Sequence, residues 1–233
     1  MRPDGGVAVK VCGLTVPEEA RACAELGVWA IGVVLAAESP RRVDAARAAE
    51  VMAAVPDGVA RVGVFVAPPP AEVAAVAALA GLTHVQLHDG DPGEVRRATG
   101  LPVIEGVRVS GTDALRRARE SAAELVLLDA AVPGRHGGTG RSFDWGLLEL
   151  EPLGRPFALA GGLRPETVAD AVMRLRPAAV DVSSGVESSP GRKDIALVRA
   201  FVAAVAGAGT VDSMSARARP LSSTTGARRA GTP

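Results

Sequence analysis

The stretch Val7-Ala-Val-Lys-Val-Cys12-Gly-Leu-Thr-Val-Pro17-Glu-Glu-Ala-Arg-Ala-Cys23-Ala-Glu-Leu-Gly27-Val-Trp-Ala30-Ile-Gly-Val-Val-Leu35 decides the fold. It opens on a β-branched apolar run, passes through an Ala-rich segment and closes on a second apolar run. Pro17 with two acids behind it starts the middle segment and Gly27 stops it, the punctuation of a helix. Ala20, Cys23, Ala24 and Gly27 fall on one helical face. Cys23 therefore reads as a small core residue that packs a helix onto a sheet. The flanking runs are apolar at nearly every position, as in parallel strands covered on both faces.

The same β-α unit recurs to the end of the apolar body. Further strands are predicted at Ala60-Arg-Val-Gly-Val-Phe-Val66, His84-Val-Gln-Leu-His88 and Pro102-Val-Ile-Glu-Gly-Val-Arg-Val109. Others follow at Glu124-Leu-Val-Leu-Leu-Asp129, Pro156-Phe-Ala-Leu-Ala160 and Ala179-Val-Asp-Val-Ser183. Helices are predicted over residues 43–55, 70–80, 93–99, 113–122, 145–150, 165–175 and 194–206. Eight such units predict the α/β class and a single (β/α)8 TIM barrel. A doubly wound sheet would want a Gly-x-Gly-x-x-Gly turn after an early strand, and none follows these.

Composition narrows the function classes. The 233 residues, 48% of them apolar, suit one barrel with a sizeable core. Equal numbers of basic and acidic side chains, 26 each, exclude nucleic-acid binding by bulk electrostatics. Two cysteines make no disulfide framework, and His84, His88 and His136 sit in no metal-ligand spacing. The N-terminus lacks a signal-peptide pattern, and the longest apolar stretch, residues 71–82, is too short to span a bilayer. A cytoplasmic protein with no membrane partner is the expectation. Residues 211–233 are rich in Ser, Thr, Gly, Arg and Pro, with four Arg and one Asp. They predict a disordered basic tail behind a barrel of residues 1–210.

In this fold, chemistry belongs at the carboxyl ends of the strands. Strand 1 ends Lys10-Val-Cys12, and the period of two puts Lys10 and Cys12 on one face with the valines on the other. A thiol beside a cation is predicted to have a lowered pKa and to act as base or nucleophile. Strand 6 ends on Asp129, a carboxylate that is costly to bury unless used, and so a general-acid candidate. Strand 4 presents Gln86 and His88 on one face. Arg41, in the loop after strand 2, suits a substrate carboxylate. Strand 5 contributes Glu105 and Arg108 near its end. Gly161 and Gly162 after strand 7, with Ser184 and Gly185 after strand 8, predict a phosphate site of backbone N–H groups. The glycines of residues 134–140 predict a mobile lid.

Taken together, these blocks resemble the phosphoribosylanthranilate isomerase family of tryptophan biosynthesis. The resemblance rests on Lys10-Val-Cys-Gly-Leu-Thr15, Ser39-Pro-Arg-Arg-Val43, Val62-Gly-Val-Phe-Val66, Val85-Gln-Leu-His88 and Leu128-Asp129. It continues through Gly137-Gly-Thr-Gly-Arg-Ser-Phe-Asp-Trp145, Leu159-Ala-Gly-Gly-Leu163 and Val180-Asp-Val-Ser-Ser-Gly-Val-Glu-Ser-Ser-Pro-Gly191. It implies an Amadori rearrangement of N-(5-phosphoribosyl)anthranilate, with no metal or organic cofactor, by a monomer or homodimer. Cys12 would be the base and Asp129 the acid. Arg41, Gln86, His88 and Asp181 would contact the substrate, and the phosphate would sit on Gly161, Gly162, Ser184 and Gly185. One departure, Asp89 where the family has Gly after His, predicts a shifted loop behind His88. The related histidine-pathway and dual-substrate barrels use Asp where Cys12 stands, which argues against them. A catalytically silent barrel is opposed by the presence of both Cys12 and Asp129.

Overall fold

The computed structural model describes residues 6–130, 148 and 151–217, with residues 130 and 209–217 as backbone only. Eight parallel strands pair in chain order and close into a barrel. They are β1 (Ala8–Cys12), β2 (Ala30–Val34), β3 (Ala60–Val66), β4 (His84–His88), β5 (Val103–Val109), β6 (Leu125–Ala130), β7 (Phe157–Leu159) and β8 (Ala179–Val182). Each lies within a residue or two of its predicted place.

The helices of the described residues are α1 (Pro17–Glu25), α2 (Ala45–Ala53), α3 (Pro70–Ala80), α4 (Pro92–Thr99), α5 (Thr112–Glu120), α6 (Val168–Leu175) and α7 (Ile195–Arg217). Their ends follow from local chemistry. Asp44 accepts a hydrogen bond from the N–H of Arg47, and Asp91 accepts from Gly93 and Glu94, which caps α2 and α4. Gly81 and Gly100 close α3 and α4 in the left-handed conformation. The lid glycines lie outside the described residues, as does the helix predicted at residues 145–150 except for Leu148, which is helical. Helix α7 runs on past residue 211 to Arg217, and residues 218–233 lie outside the described set.

Alternation along the strands sorts the side chains into two cores. Val9, Val11, Ile31, Val33, Val85, Leu87, Val126, Leu128 and Val180 face outward and pack with the helices. Cys23 joins them, fully buried, and burial pushes its thiol up to about 11. That places it as an inert packing residue. Inside the barrel lies a second, smaller cluster of Ala8, Ala30, Ala60, Val62, Ile104, Leu125, Leu127, Ala158, Ala160 and Ala179. Inward residues beyond this plug, toward the strands' carboxyl ends, include Cys12, Gln86, His88, Asp129 and Asp181, with Val34, Val64 and Val66 on β2 and β3.

One element has no counterpart in the predicted pattern. After β8 the chain makes a short 3-10 turn, Ser184–Val186, and then an antiparallel ribbon of β9 (Glu187–Ser189) and β10 (Arg192–Lys193). Glu19, in the first turn of α1, accepts from Arg192 Nε at 2.7 Å and from the Lys193 N–H at 2.8 Å. The ribbon is thus pinned to the first helix of the barrel.

Candidate active site

The mouth of the barrel opens on a cavity of about 470 Å³, well within the range of small-molecule sites. Every site residue predicted from the sequence lines it: Cys12, Arg41, Gln86, His88, Asp129, Gly161, Gly162, Asp181, Ser184 and Gly185. Cys12 comes from β1 and Asp129 from β6, strands that are not neighbours in the closed barrel. The two groups therefore enter the cavity from separate sides.

Cys12 is 7% exposed and sits in a dense electrostatic setting. Lys10, two residues back on the same face, is 2% exposed and donates to Asp181 Oδ1 at 3.0 Å. The pairing follows from register, because Lys10 and Asp181 are opposite partners on β1 and β8. Desolvation pulls the Lys10 ammonium down, but Asp181 and Cys12 outweigh it and hold its pKa above the ordinary value. Burial lifts the Asp181 carboxyl against the pull of Lys10. The 3.0 Å contact fixes the two as an ion pair. Asp181, expected as a substrate contact, thus gives one carboxylate oxygen to Lys10.

The thiol itself departs from the expectation of a lowered pKa. Burial pushes Cys12 up, and Lys10 and Lys193 only partly offset that. The reason is the depth of the site: a cation lowers a thiol pKa only as far as desolvation of the thiolate allows. Gly32, the partner of Cys12 on β2, makes room for this packing. A Cβ on Gly32 would fall 3.0 Å from the Cys12 sulfur and 3.3 Å from Lys10 Nζ.

On the opposite wall, Gln86 Nε2 and His88 Nε2 lie 2.9 Å apart, within hydrogen-bond reach. The His88 ring lies over Gly106, its register partner on β5. A Cβ at Gly106 would overlap that ring. Asp89 adopts φ +58°, the conformation that glycine favours, and the Ala67 N–H donates to the carbonyls of both His88 and Asp89. Arg108 lines the cavity as the register partner of Asp129. Glu105 points outward, where Ser121 Oγ donates to it. Period-two alternation from Ile104 separates the two.

Gly161 and Gly162 take φ +91° and +67°. A Cβ on Gly185 would fall 1.9 Å from the Leu163 carbonyl, so the loops after β7 and β8 touch at a position only glycine fits. Among the described residues, the loop hydrogen bonds use none of the N–H groups of Gly161, Gly162, Ser184 or Gly185. Sequence reasoning assigned no role to Glu187 and Lys193, which support the cavity-lining Arg41 from the ribbon. Both are buried on the ribbon and joined at 2.6 Å. Residues on a ribbon beyond the last strand end carry no periodic signal.

Comparison with known proteins agrees with this geometry. Residues 9–204 match the family model described as N-(5'phosphoribosyl)anthranilate (PRA) isomerase. The N-(5'-phosphoribosyl)anthranilate isomerase of Acidithiobacillus ferrooxidans is 47% identical over 203 residues, covering 86% of this chain and 98% of that one. A crystal structure of phosphoribosyl anthranilate isomerase in complex with reduced 1-(o-carboxyphenylamino)-1-deoxyribulose 5-phosphate superposes with a TM-score of 0.74 at 37% identity, over 86% of this chain and 99% of that one. Monomers generated from the dimeric enzyme of Thermotoga maritima superpose with a TM-score of 0.76 at 36% identity, over 86% and 99% of the two chains.

Proposed function

We propose the following mechanism from one premise: the chain belongs to the N-(5'-phosphoribosyl)anthranilate isomerase family. It is an isomerase of L-tryptophan biosynthesis, converting N-(5-phosphoribosyl)anthranilate to 1-(2-carboxyphenylamino)-1-deoxyribulose 5-phosphate. The observation that carries the assignment of roles is a thiol and a carboxylate on separate sides of one cavity that is also lined by two glycine-containing loops.

Asp129 is the general acid. It protonates the ribose ring oxygen, and the ring opens to a Schiff base. Cys12 is the general base. As thiolate it removes the proton from C2, giving an enolamine that tautomerises to the ketone. Lys10 and Lys193 supply the positive potential that a thiolate needs at a site where burial opposes it. Groups used in this way contribute roughly 10²–10⁴-fold to the rate. Arg41 receives the anthranilate carboxylate, with Gln86 and His88 on the same side. Gly161, Gly162, Ser184 and Gly185 hold the phosphate through their N–H groups.

The catalytic unit is residues 1–210, acting as a monomer or homodimer in the cytoplasm. No helix among the described residues is long and apolar enough to cross a membrane. The test is loss of anthranilate fluorescence on adding N-(5-phosphoribosyl)anthranilate to the purified protein. Turnover at the parent rate by Cys12→Ala or Asp129→Asn would overturn the acid and base roles.

A further inference from the structure

The β9–β10 ribbon carries a buried carboxylate, Glu187, that the acid–base chemistry leaves without a task. Glu187 is 4% exposed and sits at its centre. Arg41 donates to it through both arms of one edge, Nε to Oε1 at 2.8 Å and Nη2 to Oε2 at 2.7 Å. Lys193 Nζ donates to Oε1 at 2.6 Å and to the Ser183 carbonyl at 3.2 Å. The Gly191 N–H adds a bond to Oε1 at 3.2 Å. The Gly191 carbonyl in turn accepts from Thr15 Oγ1 at 2.7 Å. Glu187 is therefore fastened from its own ribbon and from the loops after β1, β2 and β8.

A guanidinium has two forked edges that match a carboxylate. In Arg41 the Nε–Nη2 edge is committed to Glu187. The Nη1–Nη2 edge is left, and Arg41 lines the same cavity as Cys12. Its stem is confined as well. A Cβ on Gly13, the residue after Cys12, would fall 2.5 Å from Arg41 Cδ, so the stem crosses directly over the turn that leaves β1. Arginine loses much rotamer freedom when it is ordered by a ligand, and ordering it beforehand removes that cost from binding.

We propose that Glu187 is a positioning residue, which fixes the Arg41 fork so that its remaining edge meets the anthranilate carboxylate beside Cys12. The proposal rests on Arg41 being the receptor of that carboxylate. Glu187 touches no substrate. It acts through the orientation of Arg41, and Lys193 holds it in place.

The test compares two ligands by calorimetry: reduced 1-(o-carboxyphenylamino)-1-deoxyribulose 5-phosphate, and the same compound without its carboxyl group. Glu187→Gln keeps the shape and removes the charge. It is expected to weaken the carboxylated ligand by about tenfold to a hundredfold, the range for a lost charged hydrogen bond, and to leave the other unchanged. KM rises by the same factor while kcat is retained, as for a uniform binding loss. Glu187→Asp keeps the charge but withdraws it by one methylene, and serves if the Gln variant does not fold. It is expected to lose part of the same preference. Arg41→Gln is expected to abolish the preference. Equal weakening of both ligands by the Glu187 variants would overturn the proposal in favour of a purely structural staple. Retention of the preference by the Glu187 variants, with loss in Arg41→Gln, would overturn it and leave Arg41 as the carboxylate site. Retention in Arg41→Gln would overturn both the proposal and the role of Arg41 on which it rests.

Discussion

Inward side chains change character with height in the barrel, even along a single strand. On β1 Ala8 is followed by Lys10 and Cys12, on β6 Leu125 and Leu127 are followed by Asp129, and on β5 Ile104 is followed by Gly106 and Arg108. The lower rings are small and aliphatic. The upper rings hold thiol, ammonium, carboxylate and imidazole around an open cavity. One backbone thus carries two regimes. Below, apolar contact supplies a floor at close-packed density. Above, each polar group is held by register and stands where it can meet a ligand. Rate should therefore be sensitive to the upper rings and stability to the lower ones.

That division can be broken experimentally, starting where the effect is largest. Cys12→Ala and Asp129→Asn are each expected to lower kcat by about 10²–10⁴-fold, with the thermal midpoint held near that of the parent. Steady-state kinetics beside differential scanning calorimetry checks both halves. The same kinetics followed across pH sharpens the thiol's role. Because Cys12 is raised above its ordinary value, kcat/KM should still climb with pH in the alkaline range, as the thiolate forms. A plateau already reached at neutral pH would contradict this.

Lys10 lies on the border between the regimes, and Lys10→Met should show both penalties. Removing one partner of a buried ion pair costs about 3–5 kcal/mol. It also withdraws the cation nearest Cys12, so the alkaline limb should move to higher pH. Denaturant unfolding and the pH profile measure the two effects separately. Ala158→Leu overfills the plug, where Ala158 is 3% exposed. It is expected to cost about 1–3 kcal/mol while leaving KM unchanged. A KM shift as large as that of a mouth variant would mean that the floor and the mouth are not separable. At the small end, Arg21→Ala breaks an exposed pair with Glu25 on α1, 72% and 61% exposed. About 0.3–0.5 kcal/mol is expected, with no change in rate.

The regime that the sequence displays most clearly is the one with periodicity. Apolar runs bounded by Gly, Pro and acidic residues locate all eight strands, alternation places Cys12 on the inner face, and Asp129 stands out as a carboxylate closing an apolar run. Arg108 and Glu105 are separated by the same rule once the strand's phase is fixed by Ile104. What stayed hidden depends on long-range contact. The Arg41–Glu187 fork joins residues 146 positions apart, and nothing local in Glu187-Ser-Ser-Pro-Gly191 marks it. The direction of the Cys12 shift was hidden for a related reason. Lys10 as a neighbour is visible in the sequence, but the depth at which both lie is a property of the closed barrel.

The Lys10–Asp181 pair has a consequence for synthesis. Its partners lie 171 positions apart, on the first and last strands of the barrel. As the chain leaves the ribosome, Lys10 and Cys12 emerge 169 or more residues ahead of Asp181. Until β8 arrives, β1 is an unpaired sheet edge and its lysine lacks the anion that permits its burial. A nascent chain of seven strands is thus an open, edge-exposed intermediate of the kind that aggregates. Ring closure and charge neutralisation arrive in one step, when the final strand docks.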